Sequence, residues 1–191
     1  MISMKNFSKL LIIIILVLIL GGIIFLFWQE KPKEEIPSEL ALPKIMKISS
    51  FAFENNSPIP SKYTCDGQDI NPPLEIEDIP EEAQSLVLVV DDPDAPIGTF
   101  LHWLVFNINP DVSLIEENSL PSGAVQGRNG FGKESYGGPC PPFGEHRYFF
   151  KIYALDKKLD LLSGSRLKEV EGAIQDHILD QAQLIGLYQR K

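Results

Sequence analysis

The densest chemistry in the chain lies in thirteen residues, Tyr136 to Tyr148, which read Y-G-G-P-C-P-P-F-G-E-H-R-Y. A cysteine, a histidine, an arginine and two tyrosines share this stretch with three glycines and three prolines. The glycines open backbone angles closed to other residues, and the prolines fix φ and remove donors, so the loop is shaped and stiff. A strand over Arg147–Leu155 puts His146, Tyr148, Phe150 and Ile152 on one face. Residues two apart in a strand are separated by about 6.6 Å, so His146 and Tyr148 can address one small ligand at the strand's mouth. Arg147 has the opposite parity and reads as an ion pair with Asp92 or Asp94. Cys140 could be a nucleophile activated by a histidine, but its flanking prolines favour a scaffold role.

A second cluster is acidic. Asp91, Asp92 and Asp94, interrupted by Pro93 and closed by Pro96, form a rigid turn after the aliphatic run Leu86–Val90. A carboxylate held there can orient a histidine or take a ligand's ammonium group. His102 opens the strand Phe100–Ile108, where a period of two groups it with Leu104 and Phe106, opposite Leu101, Trp103 and Val105. His177 falls in a helical stretch and carries no chemistry. Seryl elbows, P-loops, dinucleotide fingerprints and HExxH are absent. Cys65 and Cys140 form no zinc pattern, and neither a metal nor a cofactor is expected. The two cysteines either pair as a disulfide, if the domain lies outside the cytoplasm, or remain buried thiols.

The elements that must position these groups are mostly strands. Ile45–Phe53, Leu74–Ile76, Leu86–Val90, Phe100–Ile108, Arg147–Leu155 and Leu184–Tyr188 read as strands, and Asn109–Gly132 as a long loop. Leu86–Val90, apolar on both faces, suits a central strand covered on both sides. Ser165–Leu179 has helical spacing, with Ser163 or Ser165 as its cap. The fold expected is mainly β with one C-terminal helix.

Ahead of the domain, Leu10 to Trp28 is an unbroken run of 19 uncharged residues. As a helix it spans about 28 Å, close to the hydrocarbon core of a bilayer. A cleaved signal peptide needs a shorter apolar centre and a small-residue cleavage site, and neither is present. The expected organisation is a tail over 1–9, a transmembrane helix over 10–28, a linker over 29–43 and a domain over 44–191. Lys5 and Lys9 precede the span while Lys31 and Lys33 follow it, so lysine counting barely decides orientation. The short tail staying in the cytoplasm places the domain on the extracytoplasmic side. All 26 acidic residues and 15 of the 17 basic ones follow Trp28, a formal net charge of −11. That disfavours nucleic acid and anionic membrane as partners.

Asp92-Pro-Asp-Ala-Pro, then His102-Trp, then Gly138-Pro-Cys-Pro-Pro-Phe-Gly-Glu-His-Arg-Tyr occur in an order and spacing specific as a set. With Cys65-Asp-Gly, Asn71-Pro-Pro and the ending His177-Ile-Leu through Gly186-Leu-Tyr, they resemble the phosphatidylethanolamine-binding protein family, in its bacterial and archaeal Raf-kinase-inhibitor-like branch. The match runs from about Lys47 to Arg190. The resemblance implies two antiparallel sheets packed as a β-sandwich, with a pocket at one end for phosphate, acetate or a phosphoethanolamine headgroup. By motif, Asp92, His102, Gly138, His146 and Tyr148 bind the ligand, Pro141 and Pro142 shape the wall, and Asp94 and Arg147 support it.

Imidazole N–H groups, the Tyr148 hydroxyl and amides near Gly138 would donate to the anion, with binding that tightens as pH falls through roughly 6.5. The function expected is a membrane-anchored binding protein for a small anion or phospholipid headgroup, not an enzyme. One alternative is an inhibitor of a kinase or extracytoplasmic protease that uses the pocket rim. Another is an enzyme, with Asp92, His102 and His146 as metal ligands or an acid–base pair.

Overall fold

The computed structural model describes residues 44–190 and, ahead of them, Leu18 alone. The chain divides into two units, Met1–Leu42 and Pro43–Lys191, and the fold below belongs to the second. The expected anchor, Leu10–Trp28, and its linker lie outside the described residues. Among the described residues no helix is long and apolar enough to cross a membrane.

Two sheets make up the domain. The smaller joins β1 (Lys47–Ser49), β3 (Leu74–Glu77) and β6 (Leu114–Ile115), antiparallel and in that order. The larger holds β2 (Ser57–Pro58), β4 (Ser85–Asp92), β5 (Phe100–Ile108), β7 (Val125–Gln126), β8 (Glu145–Leu155) and β9 (Ile178–Gln189). Its order is β2-β9-β8-β4-β5-β7. Within residues 44–190 one α-helix, α1 (Leu167–Ile174), lies between β8 and β9 in sequence, and Ser61–Tyr63 forms a short 3-10 turn. One pair departs from the expected antiparallel sandwich, since β2 runs parallel to β9. The Asn56 and Ile59 amides donate to the Ile185 and Leu187 carbonyls at 2.7 Å each, and Pro58, which has no N–H, is tolerated on such an edge.

Every residue of β4 is buried, as a strand covered on both faces requires. Leu86, Leu88 and Val90 join Phe150 and Ile152 of β8 against Ile48, Leu74, Ile76 and Ile115 in the core between the sheets. Val87 and Val89 face a second core, closed by Leu155, Leu159 and by Val170 and Ile174 of α1. The helix positions its apolar stripe for that contact and stops there.

Several boundaries differ from the sequence expectation. The first strand covers only Lys47–Ser49, and the long loop contains β6 and β7. Helical spacing continues through Ile178, yet Ile178 pairs with Leu155 and begins β9, which follows β8 for its whole length. Neither Ser163 nor Ser165 caps α1. Their hydroxyls donate to Glu134 at 2.6 Å and to the Leu162 carbonyl at 2.7 Å, while Glu169 accepts from the Arg166 amide at 2.6 Å at the helix start.

One irregularity matters more than the others. Val90 lies opposite Trp103 and Asp91 opposite Leu101, so His102 is an extra residue in β5, a β-bulge. The simple alternation that groups His102 with Leu104 and Phe106 therefore fails. Leu101, Leu104 and Phe106 share the second core. His102 instead turns to the inter-sheet side, where its ring meets Phe100 and Tyr148 edge-on with centroids 5.2 Å away in each case.

Candidate functional site

Three neighbouring strands bring their polar residues to one end of the inter-sheet core. β8 supplies His146 and Tyr148, β4 supplies Asp92, and β5 supplies His102 through the bulge. All four are buried. His146 donates from Nδ1 to Asp92 Oδ2 at 2.7 Å, and Asp92 Oδ1 accepts the Asp94 amide at 2.9 Å. Each Asp92 oxygen thus holds one protein partner, and the carboxylate orients His146.

His102 is pinned in a comparable way. Its Nδ1 lies 2.6 Å from the Gly137 carbonyl, which can only accept, so the ring proton sits on Nδ1. The Gly137 amide returns a bond to the His102 carbonyl at 3.0 Å. Both imidazoles thus keep Nε2 as the nitrogen free to meet a ligand. Burial holds the His102 pKa below the ordinary imidazole value, partly opposed by the Gly137 carbonyl and the Asp92 charge. The Tyr148 hydroxyl is buried without a hydrogen-bond partner, one of two such side-chain atoms among the described residues, with Asp91 Oδ1. Burial, and then the Asp92 charge, push this phenol well above its usual range, partly opposed by the Cys140 amide, which lies near the oxygen without making a well-formed hydrogen bond and leaves the phenol proton unpaired.

Asp92, His102 and His146 open onto a cavity of about 330 Å³, walled by Cys140, Pro141 and Pro142 and closed on its apolar side by Ile97, Phe100 and Phe131. Tyr148 packs behind His102. A larger groove of about 530 Å³, lined by Pro58, Asp66, Glu145 and Tyr188, lies elsewhere and includes none of these four residues. Gly138 does not line the cavity. Its amide donates to Asp69 Oδ1 at 2.6 Å, so it is not free for an anion. A Cβ there would lie 2.6 Å from the Tyr63 carbonyl oxygen and 2.7 Å from Thr64 Cα, so the glycine is needed for close backbone packing.

Supporting contacts fix the pocket's outline. Arg147 selects Asp94 over Asp92, donating from Nε to Oδ2 at 2.8 Å and from Nη2 to Oδ1 at 2.7 Å. That fork ties the acidic turn to β8 and holds the Asp94 carboxyl down to about 2. Cys65 and Cys140 form a disulfide, with Cα atoms 5.4 Å apart, which staples the loop before Asp69 to the pocket wall. Among the described residues no cluster of three or more His, Cys, Asp or Glu could hold a metal ion.

Two contributors escaped the sequence reading. Asp69 anchors Gly138, and buried Asn129 folds the loop that carries Phe131. The Asn129 side chain donates to the Ser135 carbonyl at 2.8 Å and accepts from the Phe131 and Lys133 amides at 3.0 Å each. Phe131 then packs edge-on against Phe100 at 4.8 Å and His102 at 5.7 Å. Nothing local distinguishes either residue from the other turn formers around it.

Fold and site together define a two-sheet β-sandwich domain with a pocket at one end that Asp92, His102 and His146 line and that Tyr148 backs. A family model described as phosphatidylethanolamine-binding protein matches residues 49–189, and the chain belongs to that family. It is 51% identical over 150 residues to a UPF0098 protein of Methanothermobacter thermautotrophicus, covering 76% of this chain and 99% of that one. A solved phosphatidylethanolamine-binding protein homologue from Chlamydia trachomatis is similar at a TM-score of 0.75 and 42% identity, over 78% of this chain and 99% of that one. Escherichia coli YbcL, solved as a member of the mammalian family, is similar at 0.72 and 31%, over 76% and 99% of the respective chains.

Proposed function

We propose that the domain binds a small oxyanion, phosphate or the headgroup of a phosphoethanolamine lipid, between His102, His146 and Tyr148. The observation that carries this reading is the pair of buried imidazoles lining the cavity, each with Nδ1 committed inside the protein, backed by the Tyr148 hydroxyl, which is buried beside His102 without a partner for its proton. An unpaired buried donor costs about 1–3 kcal/mol, and an anion oxygen would relieve it. The two imidazoles complete the donor set. With Nδ1 committed in each, Nε2 accepts when the ring is neutral and donates when it is charged. Oxyanion binding is therefore coupled to proton uptake by the rings, or to a proton brought on the ligand. Asp92 keeps His146 in the required orientation, and Pro141 and Pro142 shape the wall.

The test is a titration of residues 44–191 with inorganic phosphate and with phosphoethanolamine, followed by NMR, with His146→Ala as control. Saturable shifts at His102, His146 and Tyr148 that the substitution removes are expected, and their absence in the unmutated domain would dismiss the pocket. Leu10–Trp28 is proposed to hold the chain in a membrane, with the domain outside the cytoplasm. The apolar length supports the anchor, and the Cys65–Cys140 disulfide supports the oxidising side. The full chain should resist alkaline extraction from membranes while a chain lacking residues 1–43 is released. Release of both would end the anchor proposal.

A further inference from the structure

We propose that the mouth of this pocket is a membrane-docking face that inserts three apolar loop tips into the interfacial layer of a lipid bilayer. The inference rests on the reading of the pocket as a headgroup site. Ile97 is fully exposed, Phe143 is 71% exposed and Phe131 is 48% exposed. They stand on three separate segments, the turn after β4, the loop folded by Asn129 and the turn into β8. Ile97 and Phe131 line the cavity, and the Phe143 ring lies 6.5 Å from that of His146. Each is followed at once by a glycine of positive φ, Gly98 at 96°, Gly132 at 78° and Gly144 at 71°. Open space surrounds the Cβ position of all three glycines. A left-handed glycine reverses the chain, so the residue before it stands at a tip.

Single exposed apolar residues are ordinary, and Phe51 and Leu162 are examples away from this cavity. Three tips around one opening are a patch, and such patches mark contact surfaces. A free phosphate ion gives no use for an apolar rim. A headgroup attached to acyl chains stays in its bilayer, so the mouth must come to it.

Charge decides the mode of contact. The chain after Trp28 carries −11, so an anionic surface repels it; beside the tips, Asp94 pairs with Arg147, and exposed Lys133 and Glu145, two residues from Phe131 and Phe143, are one of each sign. Attraction must come from apolar insertion. In sequence, the 15 residues Gln29–Pro43 separate the domain from the segment proposed above as a membrane anchor.

The experiment is flotation of residues 44–191 with phosphatidylcholine–phosphatidylethanolamine vesicles, run beside a titration with inorganic phosphate. The isolated domain is a fair subject, because it corresponds to 99% of the solved Chlamydia trachomatis chain. Expected are flotation that salt does not weaken, and a loss of about tenfold or more for Ile97→Asp and for Phe143→Asp. Phe143→Ser, which brings no charge beside His146, should lose flotation likewise and leave phosphate affinity unchanged. A domain that binds phosphate but stays in the aqueous phase overturns the docking face and spares the pocket. Flotation indifferent to these substitutions, or dependent on anionic lipid and abolished by salt, overturns it as well. So does a domain that fails to float and instead self-associates, or holds a protein, through these tips. Failure of the phosphate titration removes the pocket reading and with it the reason for docking.

Discussion

Replacing Tyr148 by Phe removes one oxygen and should change stability and binding in opposite directions. The ring is fully buried, it packs against His102, and its hydroxyl has no partner inside the protein. Leaving a buried hydroxyl unpaired costs about 1–3 kcal/mol, so the ligand-free Phe variant should gain roughly 1 kcal/mol, the low end, since the ring barely moves. With ligand the sign reverses. A hydrogen bond to a charged group contributes about 1.5–3 kcal/mol, so phosphate affinity should fall by roughly one to two orders of magnitude. The assay is urea unfolding of residues 44–191 with and without saturating phosphate. Phosphate should raise the midpoint of the unsubstituted domain by much more than that of the variant. A variant destabilised by 1 kcal/mol or more, with undiminished phosphate affinity, would refute the reasoning, because the hydroxyl would then be satisfied by the protein itself.

Other consequences follow from the same geometry. The Cys65–Cys140 bridge closes a loop with a sequence separation of 75, for which chain entropy gives an upper value of about 4.5 kcal/mol. The Cys65→Ser/Cys140→Ser double variant should lose about 2–4 kcal/mol in urea unfolding, and an unchanged midpoint would contradict the bridge. Gly138→Ala should cost about 1–3 kcal/mol and weaken phosphate binding, since its methyl meets backbone at Tyr63 and Thr64, and a neutral effect by either readout would count against that packing. For pH, the folded His102 pKa lies below its unfolded value, so the unfolded chain takes up a proton first as pH falls below about 6.5. This group's contribution therefore lowers ligand-free stability from that point until pH passes the folded pKa. Sulfate, whose charge is constant there, should bind more tightly over the same window, and flat affinity from about pH 8 to about pH 5 would exclude a titrating pocket histidine.

Much of the arrangement was legible because it is local. The unbroken aliphatic run of β4 announces a strand covered on both faces, and parity in β8 separates His146 and Tyr148 from Arg147. What the sequence hid is set by pairing between distant segments. His102 reaches the pocket only because the β4–β5 register inserts it as a bulge. Ile178 and Leu179 keep helical spacing with α1, yet β8 offers them unpaired backbone and they extend β9. Asp69 and Asn129 act through hydrogen bonds to residues far along the chain or across a loop, and turn composition masks them. The amide of Gly138, expected to face an anion, is instead occupied by Asp69 for the same reason. Exposure of Ile97, Phe131 and Phe143 is equally unreadable in advance, since an apolar residue beside a glycine carries no local sign of whether it is buried or exposed.

The most direct measurement of the central claim is the side-chain ¹⁵N NMR of the histidines in residues 44–191 during titration with inorganic phosphate. Nε2 of His102 and His146 should shift saturably while Nδ1 of each keeps its hydrogen-bonded signature to Gly137 and Asp92. Spectra in which the Nε2 resonances stay unmoved by phosphate at both ends of the histidine titration range would contradict it.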